Sequence, residues 1–508
     1  MDMESRSLLP HSDTNHDLRN TLVLSFSFML IFTAYMAIEA LQSSLNQDEG
    51  LGITSLSCLY AFALLSSVLS PLFIKALGCK NVLIAGWICH IIYTCTNFYP
   101  SWSTLIPSSI LLGSISGPVW TSQGLFITAY SYSLAAENEV ELRVALSRLN
   151  GVFVAIFMTT SLTGNLISSL VLFQDFSNNT GTFDTGKVCG ADDCPGMTNR
   201  TILVQPEQYI VHTLLGVFLA CEFLGLFLTI FFQPRLESSR WVKDTSLKES
   251  ITACLSGHRD WKLTLMIPFN MSMAIVEAII AADFTKEFVS CPVGIRMVGF
   301  VMAAYGGASI FSAVVMSYLE KYLRHRILFA MAAFFNINVY VAMILWKPNA
   351  DNGLYSFLLA IPWGLAEGIW LAQSNALIGL FFPSMREQAF ASYHTAKGIG
   401  FTMTFALGNV LCVSIKLYSA AGFLVFSLIL YSVVEASQHV KPSTWSSGYD
   451  ACLATGKSGV SIPGQVNKLK GEAHVTEVRS CTVDELFEIK DKSLVSQATP
   501  PTVDRTCI

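Results

Sequence analysis

The chain has 508 residues, of which 52% are hydrophobic and 13% are charged, whereas roughly 25% of the residues in an average soluble domain are charged. This composition excludes a soluble globular domain and predicts a polytopic membrane protein. The formal net charge of −5 is spread over loops and gives no indication of a nucleic-acid partner.

Twelve apolar segments are long enough to cross a bilayer as helices, which takes about 20 residues each because no backbone group can face lipid unpaired. We place them near 20–41, 53–75, 81–99, 103–133, 148–173, 207–233, 263–284, 296–319, 326–346, 353–382, 388–415 and 418–436. The predicted fold is an all-α membrane bundle of six plus six transmembrane helices. The sequence also predicts an N-terminal arm (1–19), a first half (20–233) with an extracellular loop (174–206), a linker (234–262), a second half (263–436) and a disordered tail (437–508).

Lysine and arginine residues orient the predicted bundle. With the N-terminus in the cytosol, most of those outside the tail fall on the cytosolic side, as the positive-inside rule requires. Both termini are then cytosolic, and we predict a multi-pass membrane protein. The arm carries Glu4, Leu8 and Leu9 in the spacing of an acidic dileucine signal. Such a signal is read by cytosolic adaptors and predicts cycling to endosomes or lysosomes.

The loop between the fifth and sixth spans has the features of an extracellular segment. Acceptor sequons at Asn178 and Asn199 predict N-glycosylation on that side of the membrane. Cys189 and Cys194 predict a disulfide with each other, since the outer compartment is oxidising and the loop contains no histidine. Cysteines at this spacing also suit a metal, and the sequence leaves that alternative open.

The predicted tail ends in a motif for protein recognition. Thr506 and Ile508 occupy the two defining positions of the S/T-x-Φ ligand that PDZ domains bind by strand addition. The sequence therefore predicts PDZ proteins as cytosolic partners.

A pattern in the fifth span returns in the eleventh. The pattern F-x-x-T-x-x-x-G-N recurs after about 244 residues, which together with other matches at a similar offset predicts a duplicated half and a pseudo-twofold axis. Its residues are Phe157, Thr160, Gly164 and Asn165 in the first copy and Phe401, Thr404, Gly408 and Asn409 in the second.

Ionisable side chains within the spans are the candidates for a functional site. Glu277 lies in the seventh span, Glu367 in the tenth, and His394 and Lys397 in the eleventh. Charged groups at membrane depth usually face the bundle interior and pair with each other, so we expect Glu367 and Lys397 to pair. Glu39, near the outer end of the first span, is expected at the membrane interface, and the alternative is that it lines a cavity.

Two interpretations of these groups remain open. They form an internal salt bridge that fixes the bundle, or a cation or proton site in a central cavity, to which Gln123, Gln373 and Asn375 contribute. The repeat places His394 and Lys397 where the first half has uncharged residues, so we seek any ion-linked function in the second half. No catalytic motif or phosphate loop is present, and we predict neither an enzyme nor a bound cofactor.

Several stretches resemble the unc-93 family of the major facilitator superfamily. They are N-T-L-V-L-S-F-S-F-M-L-I-F-T-A at 20–34, S-L-S-C-L-Y at 55–60, A-L-G-C-K at 76–80 and the segment 364–373. The turn P-x-x-x-x-x-x-G-x-K from Pro71 to Lys80 looks like a reduced form of the superfamily motif between helices two and three. The Asp-Arg pair usual in that motif, which helps to gate alternating access, is missing.

The resemblance implies a major-facilitator-like bundle and three functions. The first is regulation of ion channels or ion homeostasis, as in the nematode founder, through potassium-channel subunits or other membrane proteins within the membrane lipid. The second is secondary transport of a cation or small organic solute. The third is escort of membrane receptors to endosomes, as in another vertebrate branch. The missing Asp-Arg pair favours a regulator, and the twofold architecture favours a transporter.

Overall fold

The structure, a computed structural model, describes residues 14–140, 142–173, 189–195, 205–236, 260–319, 322–323, 325–348, 353–381 and 386–439. The described helices lie in one compact unit, Met1–Lys441. Those of the first half are α1 (Thr14–Leu45), α2 (Leu51–Leu77), α3 (Cys79–Thr96), α4 (Trp102–Glu137), α5 in two segments (Leu142–Phe157 and Thr159–Leu172) and α6 (Gln208–Phe232).

The second half repeats this order. It comprises α7 (Trp261–Ile279), continued by a π-helical segment (Ile280–Ser290) and a short turn (Cys291–Val293), then α8 (Val298–Leu319), α9 (His325–Leu345), α10 (Leu354–Phe381), α11 (Arg386–Gly408) and α12 (Val413–His439). Ten of these described helices are long and apolar enough to span a membrane; α3 and α11 are the other two. The predicted all-α six-plus-six membrane bundle is confirmed.

Every second connection between helices lies at the same end of the bundle. There the side chain of Asn46, after α1, donates to Asn97 at the end of α3 over 3.1 Å, and Gly190 lies against Pro348 after α9. We call this the disulfide end, because Cys189 and Cys194 lie in it. The opposite end, where α1 begins, is the terminus end.

The two halves are related by the expected pseudo-twofold pattern. Helix α5 packs against α1 and α8, and its counterpart α11 packs against α7 and α2. The repeated asparagines lie at the equivalent contacts between halves. The backbone of Asn165 abuts Gly299 of α8, and the amide of Asn409 donates to Gly50 O over 3.0 Å and to Thr54 Oγ1 over 3.2 Å.

The other repeated residues divide between packing and local bonding. The hydroxyls of Thr160 and Thr404 donate hydrogen bonds to backbone carbonyls of their own helices. A Cβ on Gly164 would overlap the carbonyl of Thr33 in α1. Phe157 packs on Phe32 within the first half. In the second copy, Phe401 and Gly408 instead contact α2 of the opposite half, so the two copies share the threonine bonds but not these packing contacts.

The halves are closed at the disulfide end. Among the described residues, the hydrogen bonds between halves fall there. They join Ser43 to Thr285 (3.3 Å), Ser44 to Ser290 (2.7 Å), Ser169 to Arg296 O (2.9 Å) and Asn409 to the start of α2. These hydrogen bonds hold the two halves together at the disulfide end.

The predicted disulfide between Cys189 and Cys194 is wrong. Cys189 bonds to Cys291 after α7, and Cys194 bonds to Cys412 before α12. The reason is tertiary: a 3-10 helix, Gly190–Asp192, separates the two cysteines. In addition, the segment lies on the second half, where Val413 N donates to Asp193 O over 3.0 Å. A loop of the first half is thus bonded covalently to the second half at two places.

Close approach of α8 to α5 makes Gly299 intolerant of a side chain. A Cβ there would overlap Asn165 O and the hydroxyls of Ser168 and Ser169, whereas a Cβ at Gly307 of the same helix would meet nothing within 4 Å. Alanine stabilises an open helix interior by up to about 1 kcal/mol relative to glycine, whereas overpacking costs about 1–3 kcal/mol. We expect Gly299→Ala to lower the midpoint of thermal unfolding in detergent and Gly307→Ala to leave it unchanged or raise it. Equal midpoints for the two variants would contradict this contact.

Candidate functional site

A buried ion pair lies in the middle of the second half. The ammonium of Lys397 on α11 donates to Glu277 Oε1 on α7 over 2.5 Å, and the two side chains are 17% and 24% exposed. The predicted direct pair between Lys397 and Glu367 is wrong, because α11 packs on α7, which carries Glu277, much more extensively than on α10, which carries Glu367. Both side chains are therefore partly buried rather than fully enclosed.

Aromatic rings surround the Lys397 ammonium. Its Nζ lies 5.8 Å from the ring centroid of Tyr393 and 5.7 Å from that of Phe401, one turn to either side on α11. Phe401 in turn stacks on Tyr60 of α2 with centroids 4.3 Å apart. A cation over aromatic faces is stabilised by the ring quadrupoles, more strongly where water is excluded. The site is therefore suited to a positive charge.

Glu39 brings the first half into the site. Its side chain is buried and accepts hydrogen bonds from Tyr60 (2.6 Å) and Tyr35 (3.5 Å), and it is close enough to Glu277 to interact electrostatically. Glu39 thus faces the interior of the bundle, as in the cavity-lining alternative, and it adds an acid of the first half to groups that were expected in the second half. The available signal was Tyr35, four residues earlier on the same helix face, since a hydroxyl at that spacing can satisfy a buried acid.

Glu367 on α10 is the third acid. Its carboxyl group lies at hydrogen-bonding distance from that of Glu277, and its Oε2 is buried without a hydrogen-bond partner. Tyr305 of α8 is within electrostatic range of all three acids. We call Glu39, Glu277, Glu367 and Lys397 the charged cluster. It combines three carboxyl groups with one ammonium, drawn from four helices and both halves.

The remaining predicted site residues lie outside the charged cluster. Gln373 is fully buried, and its Oε1 lies 2.7 Å from Nδ1 of His325 on α9. His394 is exposed, with its ring against Tyr393. Gln123 is half-buried on α4 and takes no part in the cluster's hydrogen bonds. Asn375 lies on α10, and its side chain is outside the described residues. The residues that were expected to share one central cavity therefore lie in different surroundings.

The short motifs lie outside the described residues. This holds for the dileucine residues Glu4, Leu8 and Leu9, the sequons at Asn178 and Asn199, and the terminal Thr506 and Ile508. Sorting, glycosylation and PDZ binding therefore stay predictions.

Comparison with known proteins identifies the family. The profile described as "Ion channel regulatory protein UNC-93" matches residues 44–432. Protein unc-93 homolog A of Xenopus laevis is 34% identical over 434 residues, covering 84% of this chain and 94% of that protein. The putative potassium channel regulatory protein unc-93 of Caenorhabditis elegans is 26% identical over 438 residues, covering 83% of this chain and 61% of that protein.

Among solved structures, the nucleoside transporter NupG has the same fold. It aligns with a TM-score of 0.57 at 11% identity, covering 82% of this chain and 98% of that protein. At this identity the similarity concerns architecture alone, and it confirms the major facilitator arrangement of the two halves. With the family profile matching most of the bundle, the chain belongs to the UNC-93 family of ion channel regulatory proteins.

Proposed function

We propose that this protein regulates ion channels, potassium channels in particular, as a multi-pass protein of the plasma membrane. The observation that carries the proposal is the family match, which extends from residue 44 to residue 432 and so includes nearly the whole bundle. The nematode relative named for potassium channel regulation matches over 438 residues. A regulator of this kind acts through helix contacts with channel subunits in the bilayer.

Two features support a regulator over an alternating transporter. Lys80, the base in the turn after α2, donates to Ile230 O on α6 of its own half over 2.8 Å, and the Asp-Arg pair of the transporter motif is absent. The loop of the first half is also bonded to the second half by two disulfides at the closed end. Disulfides persist in oxidising compartments, which supports an extracellular disulfide end and cytosolic termini.

Co-expression with potassium-channel subunits tests the proposal. We expect this protein to change the potassium current of at least one channel in a panel and to co-purify with that channel in mild detergent. The control is a channel of unrelated ion selectivity expressed at the same level, whose current stays unchanged. Unaltered currents across the panel, together with no co-purified channel, would refute channel regulation.

A second candidate function, secondary transport of a cation or small organic solute, is favoured by the charged cluster. Its groups come from both halves at the middle of a major facilitator fold, where transporters of this architecture place their substrate sites. Flux into proteoliposomes tests it with a Glu367→Gln/Lys397→Ala variant as the comparison. Flux that the variant abolishes supports transport, and absence of flux for a broad panel of cations and solutes rules it out.

A further inference from the structure

The charged cluster carries more negative than positive groups. Glu277 interacts with Glu39 and with Glu367, and Lys397 supplies the ammonium that pairs with Glu277. Charge at membrane depth requires compensation by a partner of opposite sign. The charge of the cluster is therefore balanced better when a further cation is bound.

Glu367 shows where that charge is missing. Its Oε2 is buried and has no hydrogen-bond partner, although a buried acceptor left unsatisfied costs about 1–3 kcal/mol. Its neighbour Glu277 already binds Lys397. Glu39, by contrast, is satisfied by the hydroxyls of Tyr35 and Tyr60. A donor cation bound beside Glu367 would satisfy the orphaned oxygen.

Lys397 shows what kind of cation the site accepts. Its ammonium combines a carboxylate at 2.5 Å with two aromatic rings at 5.8 and 5.7 Å. An acid with aromatic faces is the combination that recognises ammonium ligands. Tyr60, stacked on Phe401, extends the aromatic wall to the other half. Lys397 thus shows that an ammonium is stabilised between these acids and rings, and a second ammonium beside Glu367 would lie next to the same walls.

A metal ion fits the same residues poorly. In the described part of the chain, no group of three or more His, Cys, Asp or Glu side chains could hold a metal ion. Hard cations such as Ca²⁺ need at least about six oxygen ligands, whereas the walls next to Lys397 are aromatic rings. The chemistry of the walls selects an organic ammonium.

We propose that the charged cluster binds a small organic ammonium ion, with Glu277 and Glu367 as its counter-ions and Tyr393 and Phe401 as its aromatic wall. This binding site is independent of channel regulation. A protein that regulates channels without binding amines would refute the site alone, and one that binds amines without altering currents would refute the proposed function alone.

Binding of 2-phenylethylamine to the purified full-length protein in detergent tests the site. We expect a saturable rise in the midpoint of thermal unfolding and saturable equilibrium binding. The neutral isostere 2-phenylethanol should produce neither effect, because it has no charge for the acids. Glu367→Gln should weaken amine binding by about tenfold or more, which corresponds to about 1.4 kcal/mol.

Two further variants keep the test decisive if Glu367→Gln folds poorly. Phe401→Leu removes an aromatic face and leaves every charge, and it should also weaken amine binding. The matched control is Asp283→Asn/Lys416→Met, which removes a buried acid–lysine pair of the same half outside the charged cluster and should leave binding unchanged. Equal effects of the amine and the alcohol, equal stabilisation by the same concentration of KCl, or full binding by both Glu367→Gln and Phe401→Leu would overturn the proposal.

Discussion

Cutting the chain between its two halves will leave them covalently joined until a reductant is added. Cys189 and Cys194 belong to the first half, and their partners Cys291 and Cys412 belong to the second. A protease site inserted between residues 237 and 259 allows the cut to be made in the purified protein. After cleavage, a non-reducing gel should show one band near the intact 55.7 kDa, and a reducing gel should show two smaller bands.

Cysteine variants separate this pairing from the alternatives. Cys189→Ser or Cys194→Ser alone leaves one bond between the halves, so the cleaved halves stay joined without reductant. The double variant loses both bonds and should release the halves on a non-reducing gel. Cys221→Ser, which removes a free cysteine of α6, is the control and should behave as the parent. Release of the parent halves without reductant would instead indicate the local Cys189–Cys194 bond.

Reduction should also destabilise the closed end of the bundle. The two disulfides close loops of 102 and 218 residues, and the chain-entropy estimate for a loop of such length is on the order of 4 kcal/mol or more. Membrane helices restrict the unfolded chain, so the measured loss will be smaller than for a soluble domain. The bonds therefore support the hydrogen bonds of Ser43, Ser44 and Asn409 in keeping the disulfide end closed.

Replacing Lys397 by methionine will destabilise the protein more than removing the whole ion pair. Lys397→Met leaves the Glu277 carboxylate without its 2.5 Å partner and next to Glu367. Breaking a buried pair by removing one member costs about 3–5 kcal/mol, whereas neutralising both members is often tolerated. We expect Lys397→Met to lower the midpoint of thermal unfolding strongly, and Glu277→Gln/Lys397→Met to recover most of the loss.

An exposed ion pair provides the matched control. Lys347 and Asp192 lie 3.7 Å apart with side chains 87% and 63% exposed, and surface pairs of this kind contribute little. Lys347→Met should therefore leave the unfolding midpoint unchanged. If Lys397→Met is as stable as the parent, or if the double variant is as unstable as the single one, the ion pair does not hold α7 to α11.

The sequence predicts most residues of the site but not how they pair. The sequence identifies Glu277, Glu367 and Lys397 as unusual because each is an ionisable group inside an apolar span. It does not give their pairing, since Lys397 meets Glu277 only because α11 packs mainly on α7 and not on α10. It also misses Glu39 and Tyr60, which join the site by packing of the first half against the second.

The membrane class, the helical spans and the duplication can be read from the sequence, because each follows from local composition, helix length and the repeat of one pattern. Which distant groups meet becomes visible only in the folded bundle. The disulfide partners of Cys189 and Cys194 lie 102 and 218 residues away, and the charged cluster draws on four helices. Such contacts depend on the rotation and closure of whole helices, which are set by side-chain packing between the halves.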